Sequence, residues 1–289
     1  MTKDSALLTK QYVDYFEEFY REITNRLVNG RKKRKTVIQG INNLYILYHF
    51  LIDKKGVLKT ECSQNALSVL YVKCMHSING IYLCVNNGLI TETPALLRTL
   101  FEAYLTIEII LEKDVESRIN LWYEYSGIIR KHYLDDIKDS YLKKEISKRE
   151  YRELISIDQE KKVIKNYMNI KSQYNNGKRN TKWYWSLFNN VLDRQNNKTI
   201  SEYLGLKDDY NSFYNTTSKL IHINPIIDSF LFDNGIRTTG PIFNDTNRAL
   251  GGASVGIGCK SLIKLLEYFQ FEQLNELEPI ILNILSLSE

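Results

Sequence analysis

The stretch LLRTLFEAYL, residues 96–105, sets two charges, Arg98 and Glu102, among Leu96, Leu97, Leu100, Phe101, Tyr104 and Leu105. Its apolar residues are too dense for a one-sided pattern, so it reads as a helix that is apolar almost all round, as a core helix is. Thr93 is the expected N-cap. Pro94 fits the first helical position, where its missing N–H costs nothing, and the pattern runs on to about Leu111. The i, i+4 spacing puts Arg98 and Glu102 on one face, which the apolar neighbours should leave at least partly dry. Burying a charge is costly unless it is paired and hydrogen-bonded, so this pair is the first candidate for a functional or structural role.

Working outward, the same periodicity predicts helices over 5–29, about 37–52 and 63–86, the last stopped by NNG at 86–88. Asp114 is the expected cap of a helix over 115–134. KKEISKREYRELISIDQEKK then marks an exposed, charge-laced helical hairpin within 135–171. NNGKRN at 175–180 is a loop, and KWYWSLFNNVL after it a short helix with an aromatic face. Thr199 with Glu202 forms a capping box for a helix ending at Gly205, and 208–223 form another helix. FDNGIRTTGP at 232–241 carries the turn chemistry of a small hairpin or ordered loop, and helices over 253–271 and 278–287 close the chain. No fixed-period repeat, no βαβ alternation and no long period-2 run interrupts this order. The expectation is a single all-α domain over 1–289, a multi-helix bundle. Residues 1–60 are its N-terminal helical extension, 60–225 its core motif region and 226–289 its C-terminal helices.

The totals agree. With 4 Pro and 14 Gly in 289 residues there is room for long helices, and 43% hydrophobic against 25% charged residues excludes a disordered chain. Cys62, Cys74, Cys84 and Cys259 lie at no zinc-binding spacing and read as reduced, mostly buried thiols. No leader pattern opens the sequence and no apolar run approaches the ~18 residues that span a bilayer, so a cytoplasmic protein without a membrane partner is expected.

A net charge of +5 does not by itself establish a nucleic-acid partner. The charge is clustered, however: Arg31, Lys32, Lys33, Arg34 and Lys35 form a basic run that suits phosphate, RNA or an anionic surface, against the plain alternative of a solvated loop. The chain has no P-loop, GxSxG or HExxH signature. GGASVGIG at 251–258 follows no predicted strand, so its small residues are read as allowing close helix packing. His49, His76 and His132 have no ligand partner at metal spacing, no Glu-x-x-His pair suggests a di-iron bundle, and no cofactor is expected. Asp135 and Asp136 are read as solvent-exposed at a helix end.

One further constellation remains. Tyr210, Tyr214, Ser218 and His222 are spaced by four and align along one helix side, with His222 at the end where the dipole favours a protonated imidazole. Histidine beside Tyr and Ser, with an Arg nearby, is the equipment for metal-independent acid–base chemistry on an RNA 2′-hydroxyl. The alternative is a satisfied core histidine with a packing stripe of tyrosines.

NNGLITETPALLRTLFEAYLTIEIIL at 86–111, followed by YNTTSKLIHINP at 214–225, resembles the bacterial helical family labelled domain of unknown function 5677. The matching positions are Arg98, Glu102, Tyr214, Ser218 and His222, and the resemblance covers roughly 60–225. It implies a helical fold and little about activity. The chain is more distantly similar to helical proteins of the HEPN type. Many of those are RNA-cleaving toxins in phage defence, in which an Arg precedes a His by four to six residues, usually at a dimer interface. Here Lys219 and Asn215 precede His222 and no Arg does, so Arg98 would have to take that place in space. The resulting expectation is a metal-independent ribonuclease or toxin, or a degenerate relative of one, with RNA as partner and a homodimer or protein partner possible. The rival is a non-catalytic interaction module in which the same polar groups form a buried network.

Overall fold

The structure is a computed structural model, and it describes Arg21 and residues 35–53, 66–89, 92–179, 181–215, 217, 231–233, 236–238, 244–272 and 274–287. Its helices are α1 (Lys35–Asp53), α2 (Ala66–Asn87), α3 (Thr93–Leu111), α4 (Val115–Leu142), α5 (Lys148–Leu154) and α6 (Ile157–Ile170), followed by α7 (Trp185–Phe188), α8 (Asn197–Tyr203) and α9 (Lys207–Asp209). A 3-10 segment covers Lys171–Gly177 and a π-helical segment Tyr210–Asn215. A two-stranded antiparallel hairpin pairs β1 (Leu231–Asp233) with β2 (Ile236–Thr238), Phe232 opposite Arg237, and α10 (Asn244–Tyr268) and α11 (Leu274–Ser286) close the fold. The all-α class follows the sequence, and of the two forms left open for the insertion near 232–241 the structure takes the hairpin. The expected helix over 5–29 lies outside the described residues except for Arg21, which is helical.

Two compact units form. Of the described residues, unit 1 takes 35–53, 68–107 and 208 onward, and unit 2 takes 66–67 and 108–207. Unit 1 is organised around α10. A β-carbon on Gly258 would stand 2.6 Å from Leu44 Cδ2 and 3.0 Å from Ile78 Cδ1, and one on Gly251 would stand 2.9 Å from Val37 Cγ2. The helix backbone therefore sits closer to α1 and α2 than any side chain there would permit. Tyr48 Oη donates to the Gly258 carbonyl at 2.9 Å, and Tyr71 Oη donates to the Tyr48 carbonyl at 2.8 Å, tying α2 to α1 and α1 to α10. Burial pushes both phenols well above their ordinary range, so they stay protonated and remain donors.

GGASVGIG thus packs closely as expected, but in the middle of α10 and not at a helix start. Its role there is steric. Residues 248–268 of this helix are long and apolar enough to cross a bilayer by length and composition, contrary to the expectation of no such run; 67% of that window is buried within the fold. Cys74, Cys84 and Cys259 are buried free thiols, and burial pushes Cys74 and Cys259 up to about 12. Cys62 lies outside the described residues.

In unit 2 the charged stretch differs from a simple hairpin. α4 runs on to Leu142, so Asp135 and Asp136 lie within a helix rather than at its end. Each is paired, Asp135 with Lys131 at 2.6 Å and Asp136 with Arg179. α5 and α6 both begin with capping boxes, Ser147 with Glu150 and Ser156 with Gln159. Asp114 stands at the N-cap of α4 but in a left-handed conformation, without a side-chain hydrogen bond, so it is not the cap that its type suggested. The box at α8 is formed by Asn196 with Thr199, one turn earlier than the Thr199–Glu202 assignment. The aromatic stretch at 182–192 is helical only over Trp185–Phe188. The stop at NNG holds: Gly88 is at φ 72°, and Leu89 N–H bonds Cys84 O at 2.8 Å in a Schellman closure.

Gly258→Val inserts a β-carbon and two methyl groups where Leu44 and Ile78 already sit. It is expected to cost about 1–3 kcal/mol in a denaturant titration. A pH effect arises in unit 2. Hydrogen bonds from Lys138 and Arg152 hold Glu160 down from its ordinary value of 4.5 to about 2. A depressed carboxylate contributes stability that is present above the unfolded value and lost as pH falls through the folded one. Thermal stability should therefore fall between about pH 4.5 and 2, and less steeply in Glu160→Gln.

Candidate functional site

Three of the expected site residues meet in unit 1. α3 presents Arg98 and Glu102 one turn apart, with Arg98 Nε donating to Glu102 Oε1 at 3.3 Å. From the π-helical segment, Tyr214 Oη donates to the same Glu102 Oε1 at 3.0 Å, across 112 residues of sequence. The Arg98 guanidinium carbon lies 4.7 Å from the centre of the Tyr214 ring, a cation–π contact. Tyr210 stacks on Tyr214 with centroids 5.3 Å apart, and Phe101 at 5.5 Å from Tyr214 closes the aromatic floor.

The face is not dry. Arg98 and Glu102 keep 32% and 40% of their side-chain surface exposed, although α3 buries Leu97, Leu100, Phe101 and Tyr104 beside them. An exposed pair of this kind is worth at most about 1 kcal/mol, so the fold does not depend on it. Among the described residues no hydrogen bond occupies the Nη1 and Nη2 groups of Arg98. The cluster thus offers a partly exposed guanidinium with two uncommitted nitrogens, beside a carboxylate and against an aromatic ring, which is chemistry suited to an oxyanion such as phosphate.

The π geometry of Tyr210–Asn215 departs from the α-helix expected over 208–223. Such segments recur at functional sites because they re-aim side chains. Spacing by four still stacks Tyr210 on Tyr214. Ser218 and His222 lie outside the described residues, as do Arg31, Lys32, Lys33 and Arg34 of the basic run; Lys35 is exposed at the first turn of α1. Among the described residues no group of three or more His, Cys, Asp or Glu could hold a metal ion. His49 and His132 are engaged with Tyr45 at 2.8 Å and the Gly177 carbonyl at 2.9 Å.

Residues 64–237 match the family described as Family of unknown function (DUF5677). The chain belongs to that family. Both halves of the cluster, the α3 pair and Tyr214, fall inside the matched region. No curated protein and no solved structure matches the chain.

The buried charge that the sequence led us to expect at Arg98 is found elsewhere. Arg118 of α4 is 5% exposed, donates to the Ile109 carbonyl in the last turn of α3, and pairs with Glu112 Oε2 at 2.6 Å. Tyr203 Oη adds a bond to Glu112 Oε1 at 3.0 Å. Burial opposes ionisation of Glu112, but the bonds from Arg118 and Tyr203 win and hold its carboxyl below the usual range. The signal for this was faint: an Arg and a Glu six residues apart across the helix break at Lys113 and Asp114. The residues form a clamp on a helix C-terminus, which is a structural task.

Arg118→Ala leaves the Ile109 carbonyl without its side-chain donor and Glu112 to Tyr203 and Lys113, and is expected to cost about 1–3 kcal/mol. Arg98→Ala is expected to change stability by less than about 1 kcal/mol. Paired urea titrations measure both, and the reverse order would relocate the structural ion pair to α3.

Proposed function

We propose that this DUF5677 protein acts on RNA as a metal-independent ribonuclease of a bacterial defence or stress response, in the cytoplasm, with the α3 cluster facing the scissile phosphate. The observation that carries the reading is the exposure of Arg98 and Glu102, 32% and 40%. A structural ion pair gains nothing from that openness, and a phosphate-binding one needs it. Arg98 would neutralise the phosphate with its Nη groups, while Glu102, held by Tyr214, keeps the guanidinium aimed. His222 would take the proton of the RNA 2′-hydroxyl as its oxygen attacks phosphorus; the bond from phosphorus to the 5′-oxygen breaks, and that oxygen is protonated in turn. Ser218 would orient the imidazole. This is the chemistry of HEPN-type toxins, and on this reading Arg98 would take in space the place of the Arg that precedes the His in those proteins.

A second reading has its own support. Tyr214, Glu102 and Arg98 bond one another, which locks α3 to the 210–215 segment in one register. On that reading the protein is a non-catalytic interaction module, using the charged 135–171 region and the basic run Arg31–Lys35 to meet a protein partner or a second copy.

Expression toxicity and total RNA integrity, measured for the wild type, Arg98→Ala and His222→Ala alongside their melting temperatures, separate the two. The ribonuclease reading expects RNA fragmentation by the wild type and intact RNA with both variants at near-unchanged stability. Intact RNA in all three, with the variants merely less stable, supports the interaction module.

A further inference from the structure

Unit 2 carries a concave site of its own. α4, α6 and the end of α5 line a cavity of about 370 Å³, within the range of about 300–1,000 Å³ typical of small-molecule sites. Arg130 reaches it from α4 and Lys162 from α6, so two helices each supply one cation. No carboxylate lines it. Three acids of the unit hold other cations: Glu160 holds Lys138 and Arg152, Asp135 holds Lys131, and Glu153 holds Arg149; Asp158, one turn before Lys162, is exposed and does not line the cavity. Neither Arg130 nor Lys162 has an ion-pair or hydrogen-bond partner among the described residues.

The remaining lining is aromatic, apolar and amide. Tyr133 is 58% exposed and Leu154 53%, beside half-buried Val163 and the exposed amide of Asn166. Packing within the unit does not require a tyrosine ring in solvent. A bare phosphate or sulfate would use the cations and leave Tyr133 and Leu154 idle. An acidic peptide would satisfy the charge, but its carboxylates bring no flat ring with them, whereas every nucleotide joins an anion to a planar base. A nucleotide has all the needed parts: an anionic phosphate, a planar base that stacks on an aromatic face, and a polar base edge within the range of an amide.

We propose that the groove between α4 and α6 binds a nucleotide, its phosphate held by Arg130 and Lys162 and its base laid against Tyr133 and Leu154, with Asn166 at the base edge. The ligand is a free nucleotide or one unit of a single strand, which share this chemistry. The site goes beyond the reading of Arg98 and does not rest on it.

The full-length protein is titrated with AMP by calorimetry and with a labelled single-stranded oligoribonucleotide by fluorescence anisotropy. Arg130→Ala, Lys162→Ala, Tyr133→Ala and Tyr133→Phe are compared with the wild type, each also in an Arg98→Ala background. Tyr133→Ala should weaken binding roughly tenfold, as loss of one stacked base does, and Tyr133→Phe should restore it. Each lost cation should lower affinity and flatten its dependence on salt. Comparable affinity for AMP and the strand assigns a free nucleotide, and much tighter binding of the strand assigns a nucleic acid. Either supports the site. It is overturned if the wild type binds neither probe, if Tyr133→Ala binds as the wild type does, or if the effects of Arg130 and Lys162 vanish in the Arg98→Ala background.

Discussion

The contact on which unit 1 depends is the bare backbone of α10 at Gly258. Because no β-carbon stands there, Leu44 of α1 and Ile78 of α2 press onto the helix itself, and the Tyr48 hydroxyl can reach the Gly258 carbonyl. Tyr71 extends the same link to α2 through the Tyr48 carbonyl. Two phenols and one glycine thus fix three helices at separations that apolar packing alone would leave adjustable. α3 is held to the same core through Leu97, Leu100 and Phe101, and Gly80 of α2 leaves room for Leu96. What remains of α3 is its Arg98 and Glu102 face.

That arrangement explains how one helix can be buried and still display charge. The apolar residues of α3 cover most of its circumference, and the remaining strip is occupied by groups whose heads need water. Glu102 accepts from both Arg98 and Tyr214, so the carboxylate is the hub and the guanidinium is held by its Nε edge and by the Tyr214 ring. An Arg gripped in that way keeps its two outer nitrogens for something else. Arg118 shows the opposite case, since its Nη groups are spent on the Ile109 carbonyl and on Glu112 and the side chain is buried away from any ligand. Two Arg–Glu pairs in one chain therefore differ in task because they differ in exposure.

Charge in unit 2 is organised by the same rule. Within the segment rich in alternating signs, Glu160 bridges Lys138 and Arg152 and Asp135 takes Lys131. What sets Arg130 and Lys162 apart from other exposed cations such as Lys161 and Lys165 is that they line one concavity. Arg130 and Lys162 are left facing a hollow that has no acid in its wall. Net charge alone would not have located them.

Much of this was legible in the sequence, for local reasons. Periodicity decides a helix within a few turns, so the all-α class, the order of the helices, the turn at NNG and the hairpin near 232–241 could all be read from residues close together in the chain. The pairing of LLRTLFEA with a tyrosine more than a hundred residues later was legible only as a resemblance, and the structure supplies its bond from Tyr214 to Glu102. What the sequence did not determine was exposure. Whether Arg98 or Arg118 is buried depends on what other segments place over it: Arg98, in the apolar LLRTLFEA, is partly exposed, and Arg118, in the more polar VESRINLW, is buried. It also did not determine the π geometry at 210–215, or that GGASVGIG lies mid-helix, because a helix end and a close helix crossing use the same small residues. Side-chain pattern is local and was set by the chain itself; burial is a property of what packs against it, and only the tertiary structure could decide that.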